Sequence, residues 1–575
     1  MVAFGLLGQS KAGLGRRSAF VLVSLPVLFA AAALNSANPM AAILGRWPRY
    51  EGLPVLILYV GLVIVGSRML GGRATGQNRN FLLNGTSLSI IVLAPIAVLE
   101  SLGLRPLGGD GDIRPGATMG NATDLGLVGL VIFLLLLPQA LWTKNRLVQC
   151  GALSAGLVTV TSGSRACILV MVVVGLLMVG FRGYRQAKGR RPVLAVVVTV
   201  LGFIGGVAAL VWLMPAVSER LLSPGTVSGR LYLWDASLKI LLQGNFFGIG
   251  GSQFVDVLPL HLSDEFARNV GTEFPADSPH MLPLQLLSAG GILLLIAFSA
   301  LVCAVIVMAI GRIRTTTSSE QRLFLIGALA ALSGYGLALL THFTSPGTMA
   351  LVCVLAGAVL GTDTARDETA PASQKKPMSV TFRRSMAGLA LVGASLGGAA
   401  AIAEVPMKSG TDLSAGGNVP QATKAFEAAK ALRPWDMDID LLAAQAFAKQ
   451  AVQGNGPAAV ATRSWAGSAT ERNPSSAETL TALAVGQLGT GDLPAARQTL
   501  DNLIERSPWT SEPYLLRGLA KASDQDLAGA IADVEHAAAL TPKPGRALQL
   551  LSALYIEAGE PGKAAEVEAQ LGRLP

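Results

Sequence analysis

The amino-acid sequence predicts an all-α fold in which a polytopic bundle of membrane helices is followed by a helical solenoid. Three observations lead to this prediction. Of the 575 residues, 51% are hydrophobic and only 14% are charged, whereas about 25% of the residues of a soluble domain are charged. Apolar runs of membrane-spanning length recur up to residue 403. A repeat with a 34-residue period occupies the rest of the chain.

The apolar runs are candidate spans, because crossing a bilayer takes about 20 mostly apolar residues. One run, residues 147–181, is interrupted only at 161–165. As a single helix it would measure about 52 Å against a hydrocarbon core of about 30 Å, so we expect two short spans that meet in a turn at Gly163. The sequence predicts about eleven spans, with twelve as the alternative. The eleven are residues 18–34, 52–69, 81–99, 124–141, 147–161, 166–181, 193–213, 281–310, 322–341, 346–361 and 385–403.

The distribution of charge predicts which segments face outward. Up to residue 403 the chain has 30 Lys and Arg against 16 Asp and Glu. Cytoplasmic loops retain basic residues during insertion, and with the amino terminus in the cytoplasm 21 of those 30 lie on inner segments. The long loop 214–280 and everything after residue 403 are then extracytoplasmic. The same rule accounts for the pI near 9.5, so we predict no nucleic-acid partner.

This topology divides the chain into four parts. Residues 1–361 form a transmembrane domain that includes the long loop, residues 362–384 form a cytoplasmic linker rich in charge, Pro and Ser, and residues 385–403 form the last span. Residues 404–575 carry small residues and helix-closing prolines in the tetratricopeptide pattern. Such solenoids bind partners on a concave face, so we expect a protein partner there. The residues in phase are Pro474, Pro508, Pro542, Ala496, Ala530 and Ala564, with Pro434 forty residues before Pro474.

The long loop contains an apolar stripe and a glycine-rich stretch. The stripe has helical spacing, which predicts an amphipathic helix along the membrane surface with Arg230 at its start. The glycines predict a tight turn that brings the backbone close to a ligand or to another helix. The stripe consists of Leu231, Trp234, Leu238, Leu241 and Leu242, and the glycines are Gly244, Gly248, Gly250 and Gly251.

Two further residues have side chains suited to chemistry. His280 lies at the outer end of the eighth predicted span, and a histidine can transfer protons near neutral pH. Taken alone, a histidine at the interface that bonds to water or to a carbonyl is the commoner case. Arg165 is the only charged residue between Arg146 and Arg182. An arginine at bilayer depth costs about 2.5–3.5 kcal/mol, so it either snorkels or serves a function, and the topology puts it in the same compartment as Arg230 and His280.

In their order along the chain these residues resemble the O-antigen ligase and Wzy polymerase superfamily. The resemblance covers roughly residues 120–360 and rests on short motifs. The repeat tail is similar to those members that carry a tetratricopeptide extension. The motifs are SGSR (162–165), SGR (228–230) followed by Trp234 and GIG (248–250), and PH (279–280) with a glycine ten residues later.

The resemblance implies an enzyme of the bacterial plasma (inner) membrane. It would transfer a glycan from a polyprenyl diphosphate carrier to a hydroxyl of a glycan, lipid or protein acceptor on the extracytoplasmic side, without nucleotide sugar, metal or other cofactor. Arg165 and Arg230 would bind the leaving diphosphate, since guanidinium groups bind oxyanions at any working pH. His280 would take the proton of the acceptor hydroxyl, with inversion at the anomeric carbon. The remaining substrate-site residues would be Trp234, Gly248 and Gly250.

The family pattern leaves two questions open. A polar residue, commonly Asn, often follows the histidine, and here Met281 follows it. An acidic residue is frequent shortly before the later glycine, where this chain has Ser288 and Ala289. The orientation of the histidine, and whether an acid assists it, are therefore undetermined by the resemblance. Ligase and polymerase also stay open, because they differ only in the acceptor.

Other interpretations have less support. Acidic residues and a histidine crowd the long loop and could hold a divalent ion, although no two acids have a recognisable ligand spacing. His342, after the ninth span, is a secondary candidate for the site. A lipid-linked sugar transporter or flippase would show inverted repeats or mid-span charges, and a membrane-anchored scaffold for the repeats would need far fewer spans. The loop residues are Asp256, His261, Asp264, Glu265, Glu273 and Asp277.

Overall fold

The computed structural model describes residues 12–72, 76–107, 114–186, 192–212, 225–273, 275–363 and 380–574. These residues are helical apart from turns, loops and one antiparallel pair of strands, β1 (Ala12–Leu14) and β2 (Gly361–Asp363). The pair joins the start of the chain to the segment after the tenth predicted span, and the predicted topology puts both on one side. Residues 364–379 of the predicted linker and 214–224 of the long loop lie outside the described residues.

A helix covers each of the eleven predicted spans. By length and composition, six helices among the described residues could cross a membrane, namely α1, α4, α5, α7, α12 and α13 of the list below. The count of eleven spans stays a prediction. The helices of the membrane domain are α1 (Arg16–Leu34), α2 (Pro39–Leu44), α3 (Leu53–Met69), α4 (Gly76–Ser101), α5 (Ala122–Trp142), α6 (Arg146–Thr161), α7 (Arg165–Gln186), α8 (Pro192–Trp212), α9 (Gly225–Leu242), α10 (Phe254–Val257), α11 (Asp264–Asn269), α12 (Leu282–Thr315), α13 (Ser319–Ala338) and α14 (Pro346–Leu360), with short 3-10 turns at Ala117–Met119 and Leu258–His261.

The long apolar run at 147–181 is divided as predicted. Helix α6 ends at Thr161 and α7 begins at Arg165. Gly163 between them has a φ of 62°, a backbone conformation that glycine adopts without steric cost. The chain therefore turns at the SGSR motif.

Helix α5 lies at the centre of the bundle. It is buried almost continuously from Leu125 to Gln139, as expected of a helix that is apolar on every face, and it packs against α6, α7 and α13. The outer helices instead expose large apolar side chains. Phe20, Phe81 and Leu153 are each 75% exposed, which is appropriate for helices that face lipid.

The last predicted span and the first repeat helix are one continuous helix, α15 (Val380–Ala415). The boundary predicted at residue 403 therefore falls inside a helix, which ends only at the paired glycines 416–417. Four helix pairs follow α16, which itself packs against the end of α15. These helices are α16 (Val419–Leu432), α17 (Asp438–Ala451), α18 (Gly456–Arg472), α19 (Ala477–Gly489), α20 (Leu493–Arg506), α21 (Ser511–Ser523), α22 (Leu527–Ala539), α23 (Gly545–Glu557) and α24 (Pro561–Leu571).

The 34-residue step has a local cause in these pairs. Asp492 and Asp526 cap α20 and α22, where each carboxylate accepts a hydrogen bond from a backbone N–H three residues later. Ala496 and Ala530 are fully buried where paired helices touch. The periodic prolines follow the second helix of each pair and stop it from continuing. The structure thus has the helix pairs that the tetratricopeptide period predicts.

Candidate active site

His280 lies in the turn that leads from the long loop into α12. Its φ is 52°, a conformation that residues other than glycine keep only when their surroundings hold it. Two hydrogen bonds do so. Trp234 Nε1 donates to the carbonyl of Pro279 (3.1 Å), and the N–H of His280 donates to Ser278 Oγ (3.3 Å). The imidazole meets the ring of Phe343 edge-on, with centroids 5.1 Å apart, so these contacts set the orientation that the family pattern left open.

Arg230 and Trp234 lie one helical turn apart on α9, where residues at this spacing share a face. The helix begins at Gly225, so the prediction that Arg230 starts it is wrong by more than a turn. Arg230 lies close enough to His280 to act on it electrostatically, because its positive charge is one of those that lower the pKa of the imidazole. The predicted apolar stripe is largely exposed, as a helix that lies on lipid requires. Its exposed members are Leu231, Leu238 and Leu242.

The glycine-rich turn packs against a break in α12. Gly248 has a φ of 85°, and a Cβ there would lie 2.7 Å from the backbone nitrogens of Gly290 and Gly291. Those two glycines have non-helical dihedral angles inside α12. The N–H of Ile249 donates to the carbonyl of Ser288 (2.7 Å). The backbone of the GIG motif therefore packs directly against the backbone at the glycines that follow His280.

Gly250 forms the other side of the same turn. It has a φ of 94°, and a Cβ there would lie 2.7 Å from the Cβ of Ser36, which follows α1. The turn thus brings the backbone close to other helices, one of the two outcomes predicted for it. A role of Gly248 and Gly250 in binding substrate stays a prediction.

Arg165 is the first residue of α7 and is half-buried. Beside it, Ser164 Oγ lies 3.0 Å from Nε2 of His342, which is only 6% exposed. The residue after His342 is Phe343, whose ring touches the imidazole of His280. The SGSR turn is therefore connected to the histidine through residues 342–343, and the secondary candidate His342 belongs to this connection.

Sequence reasoning missed one cation of the site, Arg49, in the loop between α2 and α3. Its guanidinium donates hydrogen bonds to Asp277 and to Ser278 Oγ (2.8 Å). Its Cζ atom lies 3.8 Å from the centroid of the Phe343 ring. Arg49 and His280 therefore share the same aromatic ring and the same turn. A signal for Arg49 was present, because it lies on a predicted outer segment, where the positive-inside rule disfavours arginine.

The surroundings hold His280 in its neutral form. Burial is the largest cause that lowers its pKa, the charges of Arg49 and Arg230 act in the same direction, and Asp277 opposes them; together they bring the pKa from 6.5 to about 4. At pH 7 the imidazole is therefore unprotonated and can accept a proton. This chain lacks the acid that the family pattern has near residue 288, but the charge of Asp277 acts on His280 and favours the protonated imidazole.

An apolar cavity of about 190 Å³ lies beside this cluster, between α1, α3, α12 and α14. Arg49, Glu51, Asp277 and Ser278 form its polar end. The cavity is smaller than the roughly 300–1,000 Å³ typical of sites for drug-sized ligands. Its apolar walls include Leu22, Phe29, Val55, Val60, Leu286 and Phe298.

Glu51 joins three elements around this cavity. Its carboxylate accepts hydrogen bonds from Thr344 Oγ1 (2.7 Å), Gln285 Nε2 (3.3 Å) and the hydroxyl of Tyr59 (3.3 Å). Burial raises the pKa of Glu51, whereas these hydrogen bonds and the charge of Arg49 lower it. The carboxylate thus ties the start of α3 to α12 and to the segment after α13.

Three of the acidic residues considered as metal ligands pair with arginines, among them Asp264 with Arg268 (3.1 Å). Asp256 forms an ion pair with Arg46 (2.7 Å), and Asp277 pairs with Arg49. In the part of the chain that the structure describes, no group of three or more His, Cys, Asp or Glu side chains is arranged to hold a metal ion.

Several solved structures are similar to parts of this chain. They are a tetratricopeptide-repeat protein of Thermus thermophilus (22% identity over 29% of this chain and 89% of that chain, TM-score 0.24), MamA of AMB-1 (18% identity over 30% and 91%, TM-score 0.23) and yeast Tom70 (13% identity over 73% and 95%, TM-score 0.21). At these TM-scores the repeat architecture rests on the helix pairs of this chain itself. No protein in a search of the curated proteins matches the chain.

The site residues that were predicted from the sequence fall within a stretch that matches a known family. Residues 150–299 match the model of the family described as O-antigen ligase. This stretch contains Arg165, Arg230, Trp234 and His280, whereas Arg49 lies outside it. The match supports the O-antigen ligase and Wzy superfamily and, at that level, a membrane protein that transfers glycans.

Proposed function

We propose that this chain is a glycosyltransferase of the bacterial plasma membrane, of the O-antigen ligase or polymerase type. It moves a glycan from a polyprenyl diphosphate carrier to an acceptor hydroxyl on the extracytoplasmic side. One observation carries the proposal: the neutral imidazole of His280 is influenced by the charges of Arg49 and Arg230, and Arg49 also lines an apolar cavity. The imidazole suits a hydroxyl, the guanidinium groups suit a diphosphate, and the cavity suits the proximal part of a prenyl chain.

In the proposed reaction His280 accepts the proton of the acceptor hydroxyl as that oxygen attacks the anomeric carbon. The bond between this carbon and the diphosphate oxygen breaks, and the electron pair leaves with the diphosphate. Arg230 and Arg165 stabilise the charge that develops on the leaving group. Direct displacement inverts the configuration of the anomeric carbon. Asp277 stabilises the imidazolium until the proton is released.

The test is glycan transfer by purified protein that is reconstituted with a lipid-linked oligosaccharide. His280→Ala removes the general base and should slow transfer by about 10²–10⁴-fold. Arg230→Ala removes one group that stabilises the leaving diphosphate and should cost about 10²–10³-fold. His261→Ala is the matched control, because this histidine lies on the same loop but bonds to Gln243 (2.7 Å) and should leave the rate unchanged.

The products are separated on a gel, with and without a chelator. A ladder identifies a polymerase and a single shift identifies a ligase. Loss of product in the chelator arm would support the divalent-ion alternative. Full activity in both the His280 and Arg230 variants would contradict the mechanism, and absence of product from the wild-type protein would point to another class of function.

A further inference from the structure

The loop that carries Arg49 is held from outside the membrane domain. Arg46, three residues earlier, is only 4% exposed and lies between carboxylates of two distant segments. Its Nη1 donates to both oxygens of Asp256 (2.8 and 2.7 Å), and its Nε and Nη2 donate to Asp438 of the repeat domain (3.0 Å each). Glu478, also of the repeat domain, lies 3.9 Å away. Although burial alone would lower it, Asp256 and Asp438 raise the pKa of Arg46, so this group stays charged.

The repeat domain also accepts hydrogen bonds from residues on both sides of Arg49. The N–H of Trp47 donates to Asp438 Oδ2 (2.8 Å). The hydroxyl of Tyr50 donates to Asp436 Oδ2 (2.8 Å), and the guanidinium of Arg433 lies 5.4 Å from the Tyr50 ring. Only residues 48 and 49 lie between these two anchors. The position of Arg49 is therefore fixed by the turn between α16 and α17.

These contacts come from one edge of the solenoid. Asn38 Nδ2 donates to the carbonyl of Arg472 (2.9 Å), and Asn473 Nδ2 donates to Asp256 Oδ2 (3.1 Å). Both repeat-domain residues belong to the ERNP turn, and the turn that holds Arg46 follows the ALRP motif. Two of the proline turns that mark the repeat in the sequence therefore contact the loops around the site.

The chemistry of this contact favours a positioning role. Charged side chains that are buried with their partners add little net stability, but they fix one geometry, because any other arrangement leaves a buried charge without its partner. The Arg46 guanidinium binds carboxylates through all three of its nitrogens. Arg49, held between the two anchors, presents its own guanidinium to the polar end of the cavity.

We propose that the repeat domain is part of the active site, in which Asp438 and Asp436 are positioning residues that hold the 46–50 loop so that Arg49 binds a phosphate oxygen of the prenyl-linked donor. The inference rests on the proposed function and deepens it, because it adds a third arginine to the diphosphate site.

The test compares Asp438→Ala with Asp533→Ala in the full-length reconstituted protein. Both carboxylates are buried in the repeat domain and pair with arginine, but Asp533 bonds to Arg517 (2.7 Å) within the solenoid. Asp438→Ala should raise the donor KM about tenfold or more with a smaller change in kcat, because charge-assisted bonds to phosphate are strong. Asp533→Ala should leave the donor KM unchanged. An unchanged donor KM in Asp438→Ala would overturn the proposal.

Two further variants separate positioning from misfolding. Tyr50→Phe removes only the hydroxyl that bonds to Asp436, and the donor KM should rise about fivefold, the usual weight of one hydrogen bond. Arg49→Ala should raise the donor KM at least as much as Asp438→Ala, and the double variant should be no worse than Arg49→Ala alone. Effects that multiply would show that Asp438 does not act through Arg49, against the proposal.

A measurement without substrate keeps this inference separate from the proposed function. Hydrogen exchange of the peptide that contains Trp47 should quicken in Asp438→Ala and stay unchanged in Asp533→Ala. Unchanged exchange in both variants would overturn the positioning role even if the enzyme transfers glycans. Quickened exchange in a protein that transfers no glycan would instead refute the proposed function and leave the contact between the domains established.

Discussion

Two loops meet at His280, and they reach their shapes in opposite ways. The long loop is shaped by its own residues and by the helix that directly follows it, because the GIG turn packs against the glycine break of α12 and Trp234 donates a hydrogen bond to the carbonyl of Pro279. The 46–50 loop is shaped from outside, by carboxylates of the long loop and of the repeat domain around Arg46. Contacts between residues that are close in the chain produce short sequence motifs, whereas contacts between distant segments do not. The site residues of the long loop could therefore be found from the sequence, whereas those of the 46–50 loop required the structure.

The largest effect is expected from a substitution at the contact between the GIG turn of the long loop and α12. In Gly248→Ala the new Cβ would lie 2.7 Å from two backbone nitrogens of α12, in addition to the cost of a positive φ, about 1–3 kcal/mol. We expect loss of most glycan transfer and a lower thermal midpoint in detergent. Gly244→Ala is the matched control, because Gly244 has a φ of 101° but nothing within 4 Å of its Cβ position. Equal losses in the two variants would show that the contact with α12 does not matter.

Much of the fold and part of the site could be predicted from local patterns. Apolar runs, helix-stopping prolines and the turn at Gly163 follow from short stretches of sequence, and a helix lies at every predicted span. The order of the SGSR, SGR and PH motifs singled out three candidate residues in the same way. The start of α9 was misplaced, because the residues before Arg230 have no apolar periodicity and continue the helix only weakly.

Arg49 could not be predicted by such patterns, because its partners are far away in the chain. Asp277 is 228 residues from it, and Asp438 is 392 residues from Arg46. No window of sequence contains both members of either pair. What the sequence did contain was an exception to the positive-inside rule. Arginines on predicted outer segments had no topological reason to be there, and the structure pairs Arg46 and Arg49 with carboxylates.

An effect of intermediate size is expected in the pH dependence of kcat/KM, which shows whether Arg49 of the 46–50 loop acts electrostatically on His280 of the long loop. Because the pKa of His280 is about 4, kcat/KM of the free enzyme should stay level from pH 7 to about pH 5 and fall with a midpoint near 4, well below the ordinary 6.5. The charge of Arg49 lowers this pKa, so Arg49→Gln should move the midpoint to higher pH. Asp277 raises it, so Asp277→Asn should move the midpoint to lower pH.

The same shift has a consequence for stability that must be controlled. A histidine whose pKa is lower in the folded than in the unfolded state binds fewer protons when folded, so its contribution to stability falls as the pH drops from 6.5 toward 4. Protein exposed to each pH should therefore be returned to pH 7 and assayed again, so that loss of rate is separated from unfolding. A midpoint that does not move in either variant would show that the two loops are electrostatically independent.

The smallest effect is expected in kcat and in the donor KM, which distinguish a loop that orients the base from a loop that binds the donor. Trp234→Phe keeps the ring but loses the Nε1–H that bonds to the carbonyl of Pro279 (3.1 Å). One such bond contributes about 1 kcal/mol, so kcat should fall about fivefold while the donor KM stays constant. Trp465→Phe, in the repeat domain, is the control and should change neither. A loop that orients the base should alter kcat, whereas a loop that holds the donor phosphate should alter KM. If Trp234→Phe raised the donor KM as Tyr50→Phe is expected to do, the two loops would share one task, and the distinction between an internally ordered base and an externally positioned cation would have to be abandoned.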